Sequence, residues 1–164
     1  MKADKVIILI VIASFLLLGV GVVIAGRVGN SATVKIAENA QAEVNETSFD
    51  WGDITLNGGN ATKTFAIKNT GTSSLQLANV KTSCMCTTAS VTVNGEKSPE
   101  FRMHANSSWL GTVEPQAAAQ LEVIFDPAFH GPSGVGAISR EIIVETNDPK
   151  NRQLSFSLSA NVVN

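Results

Sequence analysis

The sequence predicts an all-β body, a sandwich or barrel of seven or eight short strands, carried behind one N-terminal transmembrane helix. Three observations predict it. Apolar and polar residues alternate with a period of two in several short runs, turn residues punctuate those runs at short spacing, and no apolar pattern of period 3.6 follows Ala25.

The first element is apolar throughout. Val6 to Ala25 is a run of 20 residues without a charge, interrupted only by Ser14, Gly19 and Gly21. As a helix it reaches about 30 Å, the thickness of a bilayer's hydrocarbon core. Lys2 and Lys5 precede the run and place residues 1–5 in the cytoplasm and the remaining chain outside, an asymmetry that Arg27 narrows. The competing reading is a signal peptide cleaved after Val23-Ile24-Ala25, but the run exceeds the ~7–15 residues of a signal peptide's apolar region. Both readings put the domain outside the cytoplasm.

Residues 26–42 are small and polar and read as a stalk. The expected organisation is a cytoplasmic N-terminus at 1–5, a span at 6–25, a stalk at 26–42 and one domain at 43–164, in a single-pass cell-membrane protein. That domain carries 8 Lys/Arg against 12 Asp/Glu, a mild acidity that gives no footing for nucleic acid. Two cysteines one residue apart exclude a disulfide-framework fold, so stability rests on packing.

Within the domain, Trp51 to Leu56, or Glu43 to Phe49, opens the sheets, and Asn57-Gly58-Gly59-Asn60 turns the chain. Thr64 to Lys68 buries Phe65 and Ile67, and Asn69-Thr70-Gly71-Thr72 turns into Leu75 to Val80. Leu121, Val123 and Phe125 alternate with Glu122 and Ile124 until Asp126-Pro127 ends the strand, because proline lacks the ladder donor. Arg140 to Thr146 sets Ile142 and Val144 on one face. Asn147-Asp148-Pro149 then turns into the clearest strand, where Leu154, Phe156, Leu158, Ala160 and Val162 alternate with polar residues. The last two strands are expected to pair antiparallel.

Several blocks in this order carry a resemblance: Phe49-Asp50-Trp51-Gly52, Phe65 to Gly71, Thr82-Ser83-Cys84-Met85-Cys86-Thr87, Val123 to Pro127, and Thr146-Asn147-Asp148-Pro149. From about Phe49 to Val163 the chain resembles a bacterial family of exported domains of unknown function, related to the ASH and Hydin-type immunoglobulin-like domains and the major sperm protein fold. The resemblance implies an immunoglobulin-like antiparallel β-sandwich and transfers no activity. Met85 stands where many members have glycine, and Asn94 to Gln116 is longer than usual.

The chemistry of the chain gathers at Cys84-Met85-Cys86. If extended, this stretch puts both thiols on one face with Cα atoms about 6.5–7 Å apart, at the upper edge of what a disulfide spans, so a bond between them needs a local pinch. One reading is therefore a thiol-redox pair. A second is a soft-metal site, in which Cys84 and Cys86 with His104, and Met103, Met85 or His130 in support, bind Cu(I), since thiolate, thioether and imidazole select it. The third is that the cysteines are small buried apolar residues and the rest gap fillers or loop residues. No strong ligand spacing decides among them.

Other candidates carry less. Gly131-Pro132-Ser133-Gly134-Val135-Gly136 is glycine-rich but has no helix behind it to cradle a phosphate, and reads as a flexible hairpin loop. Trp109 reads either as an exposed anchor for a partner or as a loop-covering hydrophobe. The sequence thus points to a membrane-anchored, non-enzymatic module for an unidentified protein partner, without a cofactor. The alternative is a copper-handling or thiol-redox protein.

Overall fold

The computed structural model describes residues 7–8, 10–17, 31–104 and 106–164. The chain divides into two compact units, Met1–Asn30 and Ser31–Asn164. In the first, residues 7–8 and 10–17 are helical, with apolar side chains such as Ile10, Phe15, Leu16 and Leu17 exposed. Among the described residues no helix is long and apolar enough to cross a membrane. Residues 6, 9 and 18–25 of the expected span lie outside the described residues, as do 1–5 and 26–30.

The second unit is a two-sheet sandwich. Its strands are β1 Ala42–Glu43, β2 Ser48–Thr55, β3 Ala61–Asn69, β4 Leu75–Thr82, β5 Thr87–Val93, β6 Glu96–Lys97, β7 Leu110–Val113, β8 Ala118–Phe125, β9 Gly136–Thr146 and β10 Gln153–Val163. One sheet has the order β1-β3-β8-β5-β6 and the other β2-β10-β9-β4-β7. The described residues thus form ten strands rather than seven or eight, the two-residue β1 and β6 being too short to show a period of two. The pairing is antiparallel except at β2, which runs parallel to β10. Strands so far apart in sequence carry no local signal of their direction.

The alternation seen in the sequence builds the core. Phe65 and Ile67 of β3 and Leu121 and Val123 of β8 are buried opposite Leu75 and Leu77 of β4, Ile142 and Val144 of β9, and Phe156 and Leu158 of β10. The Phe65 and Phe156 rings lie 4.9 Å apart across the two sheets. The predicted β9–β10 hairpin forms in register, Ile142 opposite Phe156 and Val144 opposite Leu154.

Three segments join or flank the sheets. The Asn69-Thr70-Gly71-Thr72 turn carries the chain from β3 in one sheet to β4 in the other. The Gly131–Gly136 stretch is no hairpin loop: Pro127–Gly134 forms a kinked 3-10 helix, with Asp126 accepting from the Ala128 N–H at its start, and it too crosses between sheets. Part of the segment read as a stalk packs on the sandwich. Val34 and Ala40 are buried, and the Ala37 N–H donates to the Asn147 carbonyl at 3.2 Å.

That packing explains Gly71. A Cβ there would run into the backbone of Asn39 to Gln41, which lies directly on the turn. Asn69, fully buried, holds the same turn. Its side-chain amide donates to the Ser73 and Val113 carbonyls, each at 2.9 Å, and its oxygen accepts the Gly71 N–H at 3.0 Å. The Asn-Thr-Gly block is a structural corner.

Candidate functional site

Cys84 and Cys86 sit between β4 and β5, where the chain passes from one sheet to the other. They are not in an extended strand. The β4 ladder ends at Thr82, whose hydroxyl lies 3.0 Å from both the Cys84 and Thr87 carbonyls, and the Thr87 N–H donates to the Cys84 carbonyl at 3.2 Å. These bonds fold residues 84–87 into a turn. The turn supplies the pinch, bringing the Cα atoms to 5.3 Å, and the two sulfurs are joined in a disulfide.

The two sulfurs differ in surroundings. Cys86 is only 2% exposed and belongs to a small second core with Leu56, Phe125 and Val162, on which Trp51 stacks. Cys84 is half-buried at the edge of that cluster. The Cys86 N–H donates to the Cys84 Sγ at 3.3 Å.

Each sulfur also meets a nitrogen. The Arg140 Nε–H donates to Cys86 Sγ at 3.1 Å, and the guanidinium lies 5.4 Å from the Phe125 ring. The β4–β9 register explains its presence. Thr82 pairs with Ile142, so the next residues of each strand, bound through the Ser83 N–H and the Glu141 carbonyl, set Arg140 beside the turn. Burial lowers the Arg140 pKa from its ordinary value. It nevertheless stays charged, because guanidinium does not deprotonate in proteins. On the other side, His130 is presented by the 3-10 helix with its Nε2 3.6 Å from Cys84 Sγ. Ligand atoms of Cys84, Cys86 and His130 all lie within 4.8 Å of one another.

The remaining candidates separate from this cluster. His104, expected with the thiols, instead lines a shallow surface depression with Met85, Glu100 and Arg102. Met103 is exposed beside it in sequence. Met85, 39% exposed, points off the turn toward that depression and toward a second one of about 180 Å³, shared with Cys86 and Phe129. Trp109 is not an exposed anchor. It is half-buried against the main core, its ring 5.5 Å from Phe101 and close over Gly111, where a larger residue would collide with it.

Arg140 is the member that sequence reasoning missed. Its signal was available in principle, as a charged residue at the start of the run Arg140 to Thr146, but its meaning depends on the β4–β9 pairing, which no local pattern shows.

Residues 42–104 match the family described as "Protein of unknown function (DUF1573)", a stretch that contains the Cys84–Cys86 turn and ends before β7. No curated protein matches the chain. Among solved structures, a protein of unknown function from Porphyromonas gingivalis W83 is similar with a TM-score of 0.58 and 20% identity over 79% of this chain. This chain spans 50% of that protein's length. The ASH / PapD-like domain 7 of human CEP192 is similar with a TM-score of 0.50 and 17% identity, covering 83% of this chain and 95% of that one. The chain therefore carries an immunoglobulin-like, ASH / PapD-like sandwich with a segment similar to a family of unknown function.

Proposed function

We propose that this chain is a membrane-anchored, extracytoplasmic and non-enzymatic module that attaches a partner protein through the free edge of its second sheet. The observation that carries the reading is β2. It is an eight-residue edge strand paired on one side only, whereas β7, the other edge of the same sheet, has four residues and β1 and β6, the edges of the first sheet, have two each. An edge of that length offers unpaired backbone groups to an added strand.

The chemistry of β2 limits what can add. Thr47 accepts from the Ser157 N–H, so by strand alternation the backbone groups of Ser48 and Asp50 face away from β10. Gly52, at φ +67, bulges the strand, with its N–H taken by Asp50. Exposed Asp50 and Asp53 make the edge acidic, which repels a second copy and favours a basic partner segment. The anchor reading is supported by the uncharged run Val6 to Ala25 and by the exposed apolar side chains of residues 10–17.

A photo-crosslinker at Asp53 in the membrane-inserted full chain tests this. A discrete protein adduct is expected, and it should disappear in Ser48→Pro, which removes only an outward-facing N–H. An adduct that persists in Ser48→Pro, or a C-terminal topology reporter found in the cytoplasm, would sink the reading.

A second reading is favoured by the Cys84, Cys86 and His130 cluster. Once the disulfide is reduced, two thiolates and an imidazole make a donor set suited to Cu(I), with His130 rather than His104 as the imidazole. One copper per reduced chain, lost in Cys84→Ser, is what it requires.

A further inference from the structure

We propose that the Cys84–Cys86 disulfide is a thiol–disulfide exchange site that oxidises polypeptide dithiols, with Cys84 the sulfur attacked and Cys86 the sulfur that leaves. The asymmetry of the two sulfurs assigns the roles. Cys84 is half-buried and reachable, whereas Cys86 is 2% exposed within the small core of Leu56, Phe125 and Val162. Exchange proceeds by attack of a thiolate on the accessible sulfur, and it is faster when the departing sulfur is stabilised as an anion.

Arg140 supplies that stabilisation. Its Nε–H already rests 3.1 Å from Cys86 Sγ, so a thiolate forming there meets a fixed cation without rearrangement. His130 Nε2 lies 3.6 Å from Cys84 Sγ and, in the tautomer that carries its proton on Nε2, donates to the second thiolate.

The reaction balances as follows. A partner thiolate, its proton lost to water, attacks Cys84 Sγ. The Cys84–Cys86 bond breaks, a mixed disulfide forms between Cys84 and the partner, and Cys86 departs with the electron pair as a thiolate beside Arg140. The partner's second thiolate then attacks its own sulfur in the mixed disulfide, closes the partner's disulfide and releases Cys84 as a thiolate beside His130. Two electrons have passed from the partner's dithiol to the cysteine pair, and the two protons it lost balance those taken up as Cys84 and Cys86 protonate.

The direction follows from the same groups. Both nitrogens favour the reduced, thiolate-bearing state, and stabilising the reduced form makes a disulfide more oxidising. A polypeptide is the partner of choice because a depression of about 180 Å³ beside the turn, between exposed Met85 and Phe129, is lined by both apolar and charged groups, Glu100, Arg102 and Asp126 among them, and so offers a peptide segment side-chain contacts and hydrogen-bond partners together.

The test uses the full chain in detergent micelles, with a reduced, unfolded protein holding one cysteine pair as one substrate and glutathione as the other. The wild type should oxidise the polypeptide stoichiometrically. With oxidised glutathione, the Cys86→Ser chain should form a mixed disulfide at Cys84 about tenfold faster than the Cys84→Ser chain does at buried Cys86. Arg140→Met should shift the glutathione ratio at half-reduction about tenfold toward the reducing side, as expected for one lost charge-assisted hydrogen bond, and Arg140→Lys should restore part of the shift. Equal reactivity of the two cysteines, or reduction only after the chain is unfolded in urea, overturns the proposal. Reaction with glutathione but not with the polypeptide overturns the assigned partner. The β2 crosslinking result bears on neither outcome, so the two proposals fail separately.

Discussion

The two ends of the sandwich are built in opposite ways. At one end, where β3 crosses to β4 and β9 turns into β10, Asn69, Thr146, Asn147 and Asp148 are all buried polar residues. Every one of them is tied to backbone. The Asn147 side chain accepts from the Gln76 N–H at 2.8 Å and donates to the Ser74 carbonyl, and Asp148 accepts from the Ala42 N–H at 2.9 Å. At the other end, the β4–β5 crossing is held by Thr82 and closed by sulfur over a small apolar cluster, with His130 reaching in from the 3-10 helix and Arg140 from β9.

The difference assigns roles. A buried polar network tied to backbone rigidifies a fold and leaves little to offer a ligand; at this end, among the described residues, the Thr70 Oγ1 is the one buried side-chain oxygen without a partner. A half-exposed disulfide between two nitrogen donors is reachable and has unspent chemistry. Two blocks that gave the chain its family resemblance, Asn-Thr-Gly and Asn-Asp-Pro, are thus architecture, and the Cys-Met-Cys block is the one with reactive atoms at the surface.

The strongest way to break this comparison is at Asn69. Asn69→Ala removes the acceptor of the buried Gly71 N–H and the side-chain donor to the Ser73 and Val113 carbonyls, three hydrogen bonds in all. At about 1–3 kcal/mol for each unmet buried group, partly relieved by relaxation, the loss should be about 4 kcal/mol. The midpoint of urea unfolding reads it. A loss below about 1 kcal/mol would mean that the closed end does not hold the sandwich.

A smaller effect concerns acid. Burial pushes the Asp148 carboxyl up, but hydrogen bonds from the Ala42 N–H, the Asn151 side chain and the Lys150 and Asn151 N–H groups outweigh it and hold the pKa below its ordinary value. A depressed carboxylate contributes stability that is present above its unfolded pKa, about 3.9, and lost as pH falls through the lower folded value. Stability should therefore decline in that acid window, and Asp148→Asn should be less stable at pH 7 but flatter below pH ~4. Parallel acid profiles for the two chains would contradict the assignment.

The sequence made half of this comparison legible. Period-two alternation places Phe65, Ile67, Leu121, Val123, Ile142, Val144, Phe156 and Leu158 in the core, because burial of a strand face is a local pattern. The turn residues marked where strands end, yet not whether Asn69 to Thr72 closes a hairpin or changes sheets, since that depends on which distant strand offers an edge. The site was half legible for the same reason. Two cysteines are visible in any reading, but the turn that joins them rests on Thr82 reaching Thr87, and the choice of His130 over His104 rests on where the 3-10 helix lies. Arg140 becomes meaningful only with the β4–β9 register.

The smallest expected effect sharpens the contrast most. A disulfide stabilises chiefly by restricting the unfolded chain, and the restriction grows with the loop it closes. Cys84 and Cys86 are two residues apart in sequence. A loop of about three residues corresponds to only about 1.6 kcal/mol at 25 °C in the chain-entropy treatment, roughly half of what a 15-residue loop supplies. Arg140 and His130 offset part of even that by favouring the thiolates. Reducing the wild-type chain with dithiothreitol should therefore lower its unfolding free energy by less than about 2 kcal/mol, against about 4 kcal/mol for Asn69→Ala in the oxidised chain. The two measurements share one urea titration. If reduction cost as much as the asparagine, the disulfide would be a clip that the fold requires, and a bond the fold requires is poorly suited to being opened by a partner's thiol.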